Sequence, residues 1–134
     1  MTVLEYKDEL LLIDCGMTFP SDELYGIDIV IPDMSYLVNN RDKIKGLIVT
    51  HGHEDHIGGI PYLLRRINVP VYGTPLTLSL IENKLKEHGL TAKTRAIKAG
   101  DRLNFGSFRV EVLRMTHSVA GAVAFSITTP AGVI

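Results

Sequence analysis

His51-Gly52-His53-Glu54-Asp55-His56 follows directly on the apolar run Gly46-Leu47-Ile48-Val49-Thr50. The hexapeptide packs three imidazoles and two carboxylates into one short stretch. Imidazole and carboxylate together form the ligand set of a borderline metal such as zinc. His51 and His53 are two apart, so on an extended exit from a strand they project to the same side. Asp55 and His56 follow as the chain turns and can face a second point nearby. A single loop can thus offer two ligands to each of two adjacent metals. A continuous helix cannot, because residues two apart on it point in different directions. The alternative is a solvated polar loop holding three of the chain's five histidines by accident.

The flanking pattern favours the metal reading. An apolar strand pattern, Lys45 to Thr50, delivers the motif, and Ile57 to Arg66 reads as a helix after it. Ligands at the carboxyl end of a strand lie where α/β sheets place their sites.

With these residues, the hexapeptide resembles the H-x-H-x-D-H signature of the metallo-β-lactamase superfamily. Further stretches sharpen the resemblance. Leu12-Ile13-Asp14-Cys15-Gly16, Phe19 to Asp28, Val30-Ile31-Pro32-Asp33 and Gly52 to Leu64 are similar to bacterial ribonuclease J. That family belongs to the β-CASP RNA-processing branch, and the likeness runs over almost the whole chain. It implies an α/β (α+β) fold of the αββα sandwich type, here its N-terminal part. The activity it implies is metal-dependent hydrolysis of RNA phosphodiesters by a metal-activated water. Cleavage within the RNA or from an end is left open.

The resemblance also implies roles. His117, in Met115-Thr116-His117-Ser118, would give a third imidazole to the metal held by His51 and His53. Asp55 and His56 would hold the second metal and are the catalytic candidates. The cofactor implied is Zn2+, two per site, with Mn2+ or Mg2+ as substitutes. Read locally, Asp14 is a turn residue capping backbone; the resemblance makes it an acid that orients the motif loop from behind. Gly52, Gly58 and Gly59 are expected where backbones approach closely.

Departures from the family bear on activity. The sequence ends at Val133-Ile134, where the family continues into a strand bearing an aspartate that bridges the metals. The β-CASP and C-terminal domains are likewise expected outside residues 1–134, along with any homo-oligomer contacts they make. Ala120-Gly121-Ala122 are small where the family has Pro-Asp-Ser. These 134 residues alone are therefore expected to bind metal weakly and not to cleave RNA. Two other readings stand beside this one: a small-molecule hydrolase of the same fold, such as a thioesterase or lactonase, and a catalytically inactive fragment.

Composition sets outer bounds. At 134 residues, 46% hydrophobic and 22% charged, the chain suits one domain or part of one. A net charge of −1 gives no global basic field for nucleic acid. Arg65, Arg66, Lys84, Lys86, Lys93, Arg95 and Lys98 could form a local patch, though a solvated face accounts for most of them. Cys15 is the one cysteine, so no internal disulfide forms. Behind the apolar run Leu10 to Ile13 it reads as a core thiol, compatible with a reducing, cytoplasmic setting. No membrane span or signal peptide is apparent.

Strands are expected at Val3–Tyr6 and Leu10–Asp14 as a hairpin, then at Val69–Gly73, Ala92–Ile97, Arg102–Phe105, Phe108–Met115 and Ala122–Thr129. Residues 16–33 read as a loop and Ser35–Arg41 as a short helix. Thr74 and Pro75 start a longer helix as N-cap and first residue, and Gly89 ends it. Its stripe is Leu78, Ile81 and Leu85; Leu76, Leu80, Lys84 and His88 share another side, with His88 at the surface. From element order alone, one mixed sheet with packed helices results.

Overall fold

Runs of consecutive apolar residues mark the strands that are buried on both faces. β2 (Glu9–Ile13) reads Glu-Leu-Leu-Leu-Ile and β3 (Ile44–Ile48) reads Ile-Lys-Gly-Leu-Ile. In the computed structural model, which describes residues 1–18, 26, 29, 31–116 and 120–134, these two are neighbours in a five-stranded sheet. β1 (Thr2–Tyr6) pairs antiparallel with β2, and β3, β4 (Val71–Gly73) and β5 (Thr94–Ala96) continue in parallel. The order is simply β1-β2-β3-β4-β5.

A second, antiparallel sheet holds β6 (Arg102–Phe105), β7 (Phe108–Arg114), β8 (Val123–Thr129) and β9 (Gly132–Val133) in sequence order. Element order alone suggests a mixed sheet; among the described residues there are two sheets face to face, as the αββα sandwich implied by the resemblance has. β7 alternates as its sequence does, with Phe108, Val110 and Val112 buried and Arg109, Glu111 and Leu113 outward. Pro130 and Ala131 turn the chain into β9, which pairs back onto β8.

The cores explain the two layers. Leu10, Leu12, Leu47 and Val49 face the helices, while Leu11 and Ile48 face Phe105, Phe108, Val110 and Ile127 of the second sheet. Each such aliphatic side chain, fully buried, contributes roughly 1.5–3 kcal/mol. Among the described residues the helices are α1 (Ser35–Asn39), α2 (Glu54–Ile57), α3 (Ile60–Leu64) and α4 (Pro75–Glu87), with one 3-10 turn at Arg41–Lys43. α4 buries Thr77, Leu78, Ile81 and Leu85. Among the described residues no helix is long and apolar enough to cross a membrane.

Two boundaries and one cap differ from the sequence reading for physical reasons. The helix expected over residues 57–66 starts earlier and breaks in two, because the Gly59 amide donates to the Cys15 carbonyl (2.9 Å) instead of continuing the helical ladder. The strand expected from Val69 starts at Val71, after Pro70, which has no amide to donate. Thr74 occupies the N-cap, but its hydroxyl makes no capping bond. It bonds instead to the Thr77 hydroxyl (3.0 Å) and the Gly121 carbonyl (2.9 Å). Most of the loop expected over residues 16–33 lies outside the described residues.

Candidate metal centre

β3 ends at Ile48, and the chain leaves the sheet through Val49 and Thr50 into the hexapeptide. His53 is still extended (φ −76°, ψ 152°), and Glu54 opens the single turn of α2. The chain is thus extended through His53 and helical through Asp55 and His56. Donor atoms of His51, His53 and Asp55 all lie within 4.8 Å of one another. The His51 ring stands edge-on to His53 at 4.9 Å between centroids and tilted over His56 at 3.9 Å. His53 and Asp55 are exposed and His51 is half-buried, so the group opens to solvent.

His56 is held from behind. Its Nδ1 lies 2.7 Å from Asp14 Oδ2, which leaves Nε2 turned toward Asp55 Oδ2 at 3.4 Å. Asp14 also accepts from the Thr50 amide and the Thr50 hydroxyl, both at 2.8 Å. Thr50 Oγ1 in turn lies 3.1 Å from His51 Nδ1. Asp14 and Thr50 together tie the ends of β2 and β3 to two imidazoles. Asp14 adopts φ +56°, a left-handed conformation that Asp tolerates better than most residues. The bend directs its carboxylate across the sheet end.

The backbone closes the same clasp. The Cys15 amide donates to the His56 carbonyl (2.8 Å) and the Met17 amide to the Glu54 carbonyl (3.1 Å). Gly16 sits between them, where a Cβ would run into the Asp55 carbonyl. Gly58 and Gly59 are similarly tight against Glu54 and Gly16 backbone, whereas Gly52 faces only the end of the Leu80 side chain. Cys15 is fully buried, and burial pushes its thiol up to about 12, which makes it inert.

The His51 imidazole is held below its usual range, first by desolvation and then by the neighbouring His56 and His53. A neutral imidazole keeps the lone pair that a metal needs. Two imidazoles and a carboxylate gathered at this spacing fit a divalent metal.

A family model described as the metallo-beta-lactamase superfamily matches residues 1–134. The chain belongs to the metallo-β-lactamase superfamily. This superfamily member is 50% identical to "Ribonuclease J 1" of Streptococcus pyogenes, across 98% of the chain and 24% of that relative. It is 47% identical to a Ribonuclease J of Synechocystis, across 98% of the chain and 21% of that relative. The chain thus spans about a quarter of the length of the curated relatives it matches. Solved metallo-β-lactamase folds agree in shape. The Bacillus subtilis fold protein YhfI matches with TM-score 0.66 at 24% identity, covering 98% of this chain and 51% of that one. The subclass B3 enzyme MEM-A1 matches with TM-score 0.67 at 20% identity, covering 93% and 49%.

In this superfamily chain the structure brings together His51, His53, Asp55, His56 and Asp14. His117 lies outside the described residues. His88, expected as a plain surface residue, is half-buried, with its ring 5.4 Å from that of Tyr62 and Nδ1 3.2 Å from Arg65 Nη2. Of the basic residues, Lys84 pairs with Glu54 and Arg65 meets His88; the others named make no ion pair among the described residues. Sequence reasoning missed Thr50 and Gly16. A threonine at the strand end just before the first histidine was the available signal for Thr50; Gly16 had none beyond following Asp14-Cys15.

Proposed function

We propose that this chain carries the metal centre of a ribonuclease that hydrolyses RNA phosphodiesters. The observation that carries the reading is the His51-His53-Asp55 cluster, braced by Asp14, in a chain half identical to a Ribonuclease J across nearly its whole length. His51 and His53, with His117, are the proposed ligands of one Zn2+, and Asp55 and His56 of a second; Mn2+ or Mg2+ are the substitutes. Bound metal of this kind supplies a hydroxide at neutral pH and charge to offset the attacked phosphate. His51 contributes a partly desolvated imidazole, held below its usual range and set against the Thr50 hydroxyl. Asp14 fixes the His56 ring by its Nδ1 and so presents Nε2 toward Asp55. Exposure of His53 and Asp55 leaves room for a long polymer to reach the cluster. The expected setting is cytoplasmic, with any oligomer formed through parts beyond these residues.

A small-molecule hydrolase is the second reading. An apolar cavity of about 350 Å³ beside His51, lined by Ile13, Met115, Val123 and Phe125 among others, favours it. The two are separated in a chimera in which this chain replaces the matching quarter of the Streptococcus pyogenes relative. The expected result is metal-dependent cleavage of 5′-monophosphorylated RNA, abolished by Asp55→Ala or His56→Ala with the fold intact. Ester or lactone hydrolysis without RNA cleavage would overturn the RNA reading.

A further inference from the structure

We infer that Lys84, with Leu80 one turn before it on α4, is a positioning residue for the metal centre: it draws the Glu54 carboxylate away from the ligands and fixes the loop that carries them. The inference rests on the metal-binding reading of that loop. Glu54 stands between His53 and Asp55, yet its carboxylate is not part of the His51-His53-Asp55 cluster. Its Oε1 lies 2.5 Å from Lys84 Nζ. The Lys84 side chain is only 18% exposed, against 48% for Glu54. That sets the pair apart from a freely solvated one, where screening and side-chain entropy leave little.

The Glu54 backbone is tied at the same point, its carbonyl accepting the Met17 and Gly58 amides at 3.1 and 2.8 Å. Two residues earlier, Gly52 faces Leu80, whose Cδ1 occupies the space a Cβ would need. Leu80 and Lys84 are four apart and therefore stacked on one side of the helix. The same side continues in both directions. Leu76 adjoins Gly121, and His88 meets Tyr62 and Arg65 around α3. The other side of α4 is locked into the core by Thr77, Leu78, Ile81 and Leu85. A helix pinned on one side and touching the hexapeptide at both Gly52 and Glu54 acts as a rigid rule against which the ligands are set.

The placement also matters chemically. An acid between two ligands, if free, is itself a competent donor for a hard or borderline cation. The ion pair with Lys84 holds that carboxylate off the cluster, so that its pull on the loop backbone is fixed in one direction.

Lys84→Met keeps the stem and deletes the charge. In the purified protein, Zn2+ affinity is read by competition with a chelator, and amide hydrogen exchange is read on the metal-free form. We expect Lys84→Met to raise the Zn2+ Kd about tenfold, the lower end of what losing an outer partner of a metal site costs. Lys84→Arg should retain affinity, and adding Glu54→Gln to Lys84→Met should cause no further loss. Exchange at residues 52–57 should quicken in Lys84→Met but not in Lys86→Met, with the unfolding midpoint unchanged. If Lys84→Met does not fold, Glu54→Gln breaks the same pair and carries the loop-exchange readout. Wild-type affinity together with wild-type loop exchange overturns the inference. A protein that binds no Zn2+ in any form overturns the metal reading instead, and the exchange comparison then still decides whether Lys84 braces the loop.

Discussion

The two sheets differ in how many faces they bury, and the difference locates the chemistry. In the mixed sheet, Leu10, Leu11, Leu12, Leu47, Ile48 and Val49 are all 0% exposed, because helices cover one face and the second sheet the other. In the antiparallel sheet, β7 buries every second residue and turns Arg109 and Glu111 outward. Strands packed on both faces have little freedom to shift, so their ends are fixed points. Asp14 and Thr50 stand on two such ends. The strand ends of the antiparallel sheet carry no comparable polar clasp among the described residues. Precise placement of the clustered histidines and Asp55 thus coincides with double burial, as a site built on rigid elements would require.

The contrast can be broken first at the core. Leu47→Ala removes a doubly buried side chain and should cost about 2–5 kcal/mol in urea unfolding. A loss below about 1 kcal/mol would mean that the mixed sheet is no more constrained than its partner.

Next in size is Asp14→Ala. It removes the acceptor of the Thr50 bonds and of the His56 contact. Zn2+ affinity should fall by about 10- to 100-fold, since outer partners of metal ligands act on this scale. Unaltered affinity by chelator competition would detach the strand ends from the site.

A smaller effect tests the link between the sheets. Glu9 of β2 accepts the Ser107 amide in the β6–β7 turn at 2.6 Å, and this bond is the main cause that holds its carboxyl below the ordinary value of 4.5. A depressed carboxylate stabilises the fold fully above its unfolded value and loses that contribution as pH falls through the folded value. Thermal unfolding of wild type and Glu9→Gln should therefore differ at neutral pH and converge as pH is lowered from about 4.5 downward. A gap that widens on acidification would contradict the assignment.

Smallest of all is Glu111→Ala, on the outer face of β7. It should change stability by no more than about 0.5 kcal/mol. A loss comparable to Leu47→Ala would show a second covered face.

How much of this was legible follows from the range of the interactions. The hexapeptide and the strand before it are local, and their spacing alone put His51 and His53 on one side. The alternation of β7 and the stripe Leu78, Ile81, Leu85 are local too. What stayed hidden depends on segments far apart in sequence. Gly16 is needed only because the chain after β2 lies against Asp55. The helix after the motif breaks because Cys15 captures the Gly59 amide. The Thr74 hydroxyl looked like a cap, yet it turns to Gly121, 47 residues on. No periodicity reports contacts of this kind. The expectation for His117 falls on residues outside those described.

The bond between His56 and Asp14 spans 42 residues. His51, His53 and Asp55, by contrast, come from five consecutive positions. Closing the longer span requires β2 and β3 to pair in parallel, a slow, non-local step in folding. The two halves of the cluster therefore depend on different ranges of the chain, one local and one set by sheet closure. Local donors exist as soon as the loop forms, but His56 acquires its fixed orientation only when the sheet closes.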